Sequence, residues 1–120
     1  MVSILIADDS DAIRLVLKDI LEIEQHSVAG EAVDGQEAVE KYSALKPEIL
    51  LLDLAMPKKD GLTVVKEIME RHPSAKIILI TAADNQKIIN QCITAGAKAY
   101  ISKPFDFDNV LKVISEIVSK

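Results

Sequence analysis

Ile49-Leu50-Leu51-Leu52-Asp53 decides how this chain folds. Four branched aliphatic residues in a row leave no polar face, so as a strand the run must be covered on both sides. It is too short for a core helix and far too short to cross a bilayer. A carboxylate then ends it. Similar aliphatic runs occupy residues 4–7, 28–32, 77–80 and 99–101, and all read as strands buried on both faces.

A helical pattern follows each run. Ile13, Val16, Leu17, Ile20 and Leu21 recur at i, i+3, i+4, i+7 and i+8, the stripe of a helix packed on a core. The second helix starts near Asp34, with Glu37 three residues on as an N-cap pairing, and carries Ala38, Val39, Tyr42 and Leu45 before Pro47. Val64, Val65, Ile68 and Met69 mark the third, after Gly61 and before Pro73. The fourth covers residues 85–95 and stops at Gly96, a natural C-terminal cap. Val110, Val113, Ile114 and Ile117 mark the fifth. Strand and helix alternate five times, which predicts one α/β domain over residues 1–120: a doubly wound, five-stranded parallel sheet, (βα)5.

Composition narrows the function. A net charge of −5 argues against direct nucleic-acid binding, which calls for a basic surface. No basic stretch precedes the first apolar run, so a secretion signal is not expected, and neither is a membrane partner. Cys92 is the only cysteine. No intrachain disulfide can form, and a reducing setting, the cytoplasm, fits best. Among Ile88, Ile89 and Ile93, Cys92 reads as a small buried hydrophobe.

Ligands of such sheets bind outside the carboxyl ends of the strands, where strand order reverses. Asp8 and Asp9 follow the first strand, Asp53 the third and Lys103 the fifth, while Thr81 ends the fourth. Each alone has an ordinary reading: a helix cap, a turn former, a solvated lysine. Their common address at the same end of four strands is what makes a site. If the first and third strands are neighbours, three carboxylates converge and repel unless a cation sits among them. Oxygen ligands suit magnesium or calcium, and magnesium, which keeps waters and works with phosphate, is the better match. With Lys103 opposite and a hydroxyl nearby, Asp53 is placed to attack a phosphoryl group and become an acyl phosphate.

These residues lie in motifs that resemble the response-regulator receiver domains of two-component signalling, over essentially the whole chain. The motifs are Leu5-Ile-Ala-Asp8-Asp9, Leu50-Leu-Leu-Asp53-Leu-Ala-Met-Pro57, Asp60-Gly61, Ile80-Thr81-Ala82, Gly96-Ala97 and Lys103-Pro104-Phe105. The resemblance implies strand order 2-1-3-4-5 in a flavodoxin-like, CheY-like fold. It implies that Asp53 is the phosphoacceptor and that Asp9 and Asp53 bind Mg2+ directly, Asp8 through water, with the Ala55 carbonyl as a further ligand. Lys103 would contact the phosphoryl group, across a cis bond to Pro104. Thr81 and Tyr100 would form a switch that alters the face of the fourth helix, fifth strand and fifth helix. A histidine kinase would be the donor, and a downstream protein would bind that face. Ala55 and Ala83, two residues after Asp53 and Thr81, stand where family members often carry groups that orient hydrolytic water.

The chain ends with the fifth helix, so a stand-alone regulator without an output domain is expected. Leu17-Lys-Asp-Ile20, Val28-Ala-Gly-Glu-Ala32 and Glu37-Ala-Val-Glu-Lys-Tyr42 are similar to chemotaxis receivers. The alternatives are a phosphorelay intermediate and a receiver excised from a transcription regulator. The chain is not expected to be an enzyme beyond its own phosphorylation and dephosphorylation. A haloacid-dehalogenase-type phosphohydrolase shares the aspartate, metal, threonine and lysine, but needs a second aspartate where this chain has Ala55. A flavodoxin-type carrier would meet repulsion from the acidic first loop. Elsewhere, His26 and His72 read as solvated, Lys58 and Lys59 as an exposed loop pair, and Gly35 and Gly61 as turn or helix-start glycines.

Overall fold

The computed structural model describes residues 2–82 and 84–119. Its elements are β1 (Ser3–Ala7), α1 (Asp11–Ile23), β2 (Ser27–Ala32), α2 (Gly35–Leu45), β3 (Ile49–Asp53), α3 (Gly61–Arg71), β4 (Ile77–Ala82), α4 (Gln86–Ala95), β5 (Ala99–Lys103) and α5 (Phe107–Val118). The strands form one sheet in the order β2-β1-β3-β4-β5, every pair parallel. From β1 the chain winds outward to β2, then crosses back to β3. The reversal opens a crevice above the ends of β1 and β3.

Side-chain alternation sends each strand's residues to two cores. Leu5, Ala7, Leu50, Leu52, Ile77 and Leu79 pack with Ala38, Val64, Ile68, Ile89 and Cys92 from α2, α3 and α4. Ile4, Ile6, Ile49, Leu51, Ile78, Ile80 and Ile101 pack with Leu17, Leu21, Val110 and Ile114 from α1 and α5. Burying each large aliphatic side chain contributes about 1.5–3 kcal/mol. Truncating a fully buried one such as Leu51 to alanine costs about 2–5 kcal/mol.

The helix starts follow from short polar caps. Ser10 accepts from the Ile13 N–H, Asp34 from Glu37, Asp60 from Thr63 and Asp106 from Asn109. The Glu37 carboxylate reaches back to accept from the Val33 N–H at 3.1 Å, one residue before the cap rather than at the Asp34 N–H of the expected pairing. Gly96 ends α4 at φ 130°, a conformation that side chains resist, and a Cβ there would lie 2.7 Å from Met69 Cγ.

Several sequence expectations need correction. β2 and β5 are not buried on both faces, because they are the edges of the sheet, where helices cover less. Val16 is 45% exposed, whereas Arg14 is buried in the same helix. At about 100° per residue, Val16 stands about 100° off Leu17 at the margin of the stripe. Arg14 stands about 60° off it, on the packed face. Leu45 is exposed because it lies over the edge strand at Gly30. Neither histidine is simply solvated. The His72 ring packs beside Tyr42, tilted by 54° with 5.1 Å between ring centres, and its Nε2 lies 3.3 Å from the Ser43 hydroxyl. His26 Nδ1 accepts from the Val2 N–H at 3.2 Å. Cys92 is buried, as expected.

Candidate functional site

Three strand ends build the site. Asp8 follows β1, Asp53 closes β3 and Lys103 closes β5. Asp8 is held almost entirely by its surroundings. Its N–H donates to the Ala32 carbonyl at 3.0 Å, and its Oδ1 accepts from the Ser10 N–H at 2.9 Å. Its Oδ2 is buried and, among the described residues, accepts no hydrogen bond. Asp53 is buried too, and its Oδ1 accepts from the Ala55 N–H at 3.1 Å. Asp9 is exposed. One carboxylate oxygen from each of Asp8, Asp9 and Asp53 falls within 4.8 Å of the others.

Lys103 Nζ stands 3.6 Å from Asp53 Oδ1 and 3.7 Å from Asp8 Oδ2. The Lys103–Pro104 bond is cis. Burial above all pushes the Asp8 carboxyl above its ordinary range, and the neighbouring Asp53 and Asp9 charges add to it; the Ser10 N–H and Lys103 pull the other way. A buried carboxylate with one oxygen that accepts no hydrogen bond, beside two more carboxylates and a single ammonium, is a donor set short of positive charge. All its ligating atoms are oxygens, which suits a hard divalent cation.

Thr81 is buried on β4, and its hydroxyl accepts from the Asn85 side-chain amide at 3.1 Å. Tyr100 pairs with Leu79 across β4 and β5, and alternation places it on the same sheet face as Thr81, toward α4. Its side chain is turned outward, 42% exposed. Ala55 is exposed in the loop after β3. Ala83 lies outside the described residues.

That loop is anchored from below. The Gly35 N–H donates to the Pro57 carbonyl at 3.1 Å. Lys58 Nζ lies 3.4 Å from Asp34 Oδ2, and Lys59 Nζ lies 2.7 Å from Glu67. The two lysines are therefore not just an exposed pair: each ties the loop to a helix. Sequence reasoning also missed Arg14 and Asn85. A signal existed for Arg14, a charge placed on the apolar stripe of α1. None existed for Asn85, whose partner is set by the turn after β4.

Comparison with known proteins agrees with this geometry. A profile of the response regulator receiver domain matches residues 4–115. The chain is 44% identical over 114 residues to the chemotaxis protein CheY of Thermotoga maritima, covering 95% of each chain. It is 36% identical to the protein CcdB of Bacillus subtilis, over 98% of each. Among solved structures, a chain of the CheX–CheY–BeF3–Mg2+ complex from Borrelia burgdorferi superposes with a TM-score of 0.94 at 36% identity, covering 98% of this chain and 90% of that one.

Proposed function

The chain belongs to the response regulator receiver domain family, and from that premise we propose that it is a signalling receiver, phosphorylated on Asp53 by a histidine kinase. The observation that carries the reading is the placement of Asp8 and Asp53 around Lys103, with 3.7 and 3.6 Å separations. In this reading Asp9 and Asp53 would hold Mg2+ directly, Asp8 would act largely through water, and the Ala55 carbonyl would be the remaining protein ligand. When bound, the ion neutralises charge on the carboxylates and on the transferring phosphoryl oxygens. An Asp53 oxygen attacks phosphorus as the P–N bond to the donor histidine breaks, leaving the electron pair on the imidazole. The Lys103 ammonium offsets charge on the phosphoryl group, and Thr81 offers its hydroxyl to it.

The acyl phosphate then biases two conformations that both exist beforehand. In the outward state Tyr100 is exposed; in the other it follows Thr81 inward, and the α4–β5–α5 face presents a different surface to a downstream protein. With alanine at position 55, no side chain orients hydrolytic water there, and the chain turns over no substrate beyond its own phosphoryl group. The names of its relatives support a chemotaxis pathway, set in the cytoplasm. Among the described residues no helix is long and apolar enough to cross a membrane.

Intact-mass analysis after incubation with acetyl phosphate and Mg2+ tests the assignment. One phosphate should add to the wild type and none to Asp53→Asn. Labelling that survives the substitution would place the acceptor elsewhere. Co-purification with a histidine kinase and with flagellar-motor proteins tests the pathway.

A further inference from the structure

The buried guanidinium of Arg14 has no part in the chemistry above, yet it joins three elements. Its Nη1 donates to the Asp8 carbonyl at 2.7 Å and its Nε donates to Glu31 Oε1, on β2, at 2.9 Å. Its Nη2 also reaches Asp11. Lys18 holds the second oxygen of Glu31 at 3.0 Å. The Asp8 carbonyl belongs to the peptide that links Asp8 to Asp9. A tilt of that peptide plane would turn both carboxylates.

We infer that Arg14 is a positioning residue for the cation site: clamped by Glu31, it fixes the Asp8–Asp9 peptide and thereby aims both carboxylates. The inference rests on the proposed Mg2+ reading. Its logic is that of partners one shell out from a metal, which orient ligands whose own flexibility would weaken binding. With the Ala32 carbonyl, the Ser10 N–H and Arg14 all engaged, Asp8 keeps one oxygen, Oδ2, without a hydrogen bond. Arginine suits the task because its planar fork spans two acceptors on different elements, which one ammonium cannot do.

The test compares Arg14→Met with Lys18→Met. The second removes the other cation on Glu31 without touching the Asp8 carbonyl. Calorimetric titration with Mg2+ should show affinity reduced at least about tenfold in Arg14→Met, as is typical for such outer partners. Lys18→Met should stay near the wild type. The Asp9 amide resonance in metal-free protein should move in Arg14→Met and hold in Lys18→Met, a readout that mere loss of stability would not produce. Should Arg14→Met fail to fold, Arg14→Lys carries the same expectations with the charge retained. An unmoved Asp9 resonance, unchanged Mg2+ affinity, or equal losses in both variants would overturn the inference. Absence of Mg2+ binding by the wild type would overturn the metal reading instead, and the resonance would still decide whether Arg14 holds the peptide.

Discussion

The Asn85 side chain donates to the Thr81 hydroxyl at 3.1 Å, so the turn after β4 restrains the group proposed to meet the phosphoryl oxygen. For Thr81 to move toward Asp53, that bond must break or its donor must follow. A hydrogen bond of this kind has a net worth of about 1 kcal/mol, or about fivefold in a population. Asn85→Ala should therefore raise the initial rate of Asp53 phosphorylation by acetyl phosphate about fivefold at saturating Mg2+. The gain should vanish in the Asn85→Ala, Thr81→Ala double variant. Equal gains with and without the Thr81 hydroxyl would mean that Asn85 acts on something else.

Asp8 sets up a trade between stability and metal binding. Its carboxyl is buried, with one oxygen lacking a hydrogen bond, and burial raises its pKa from the ordinary 3.8. The folded state therefore holds the proton more tightly than the unfolded state. In metal-free protein, stability should decline as pH rises from about 3.8 through the raised value. Asp8→Asn keeps the shape and removes the charge. It should stabilise the metal-free chain by about 1–2 kcal/mol and abolish further stabilisation by Mg2+. Thermal melts with and without Mg2+ check both halves, and a less stable metal-free variant would contradict the account.

Much of this organisation is legible along the chain because it is periodic or terminal. The unbroken run from Ile49 to Leu52 announces a strand covered on both faces, and Asp8, Asp9, Asp53, Thr81 and Lys103 share a strand end. Strand order is less legible from pattern alone. Nothing local says that β3 returns beside β1 rather than continuing past β2, and only the resemblance supplied it. What escapes reading depends on contacts across the fold. Arg14 looks like a flaw in a helix stripe until Glu31 and the Asp8 carbonyl are seen around it. His72 looks solvated until the tilted ring of Tyr42 is found beside it. The half-exposed Val28 reads as core because edge and centre strands share the same aliphatic vocabulary.

His26 gives a pH dependence of definite sign. Its Nδ1 accepts from the Val2 N–H, and burial lowers its pKa from the ordinary 6.5. In the folded state it stays neutral where the unfolded chain would already bind a proton. Its contribution to stability is complete above 6.5 and is lost as pH falls through the lowered value. The slope is at most about 1.4 kcal/mol per pH unit, less for a half-buried ring. His26→Asn, which can accept the same N–H, should flatten the decline of urea-derived stability as pH falls below 6.5. An unchanged slope would assign the dependence to other groups.

Gly35 tests whether the loop after β3 is held by close packing. A Cβ there would lie 2.3 Å from the Lys59 carbonyl oxygen, while the Gly35 N–H bonds the Pro57 carbonyl in the same loop. Both contacts are with backbone, so neither can step aside as a side chain can. Gly30 makes the natural control: a Cβ there meets Leu45 Cδ1 at 2.8 Å, the far end of an exposed and flexible side chain. Gly35→Ala should cost about 1–3 kcal/mol in urea denaturation, against well under that for Gly30→Ala. Since the displaced loop contains Ala55, Gly35→Ala should also weaken Mg2+ binding, and Gly30→Ala should leave it unchanged. Equal costs for the two substitutions would mean that the loop yields easily, and that its anchorage to Gly35 does not set the geometry beside Asp53.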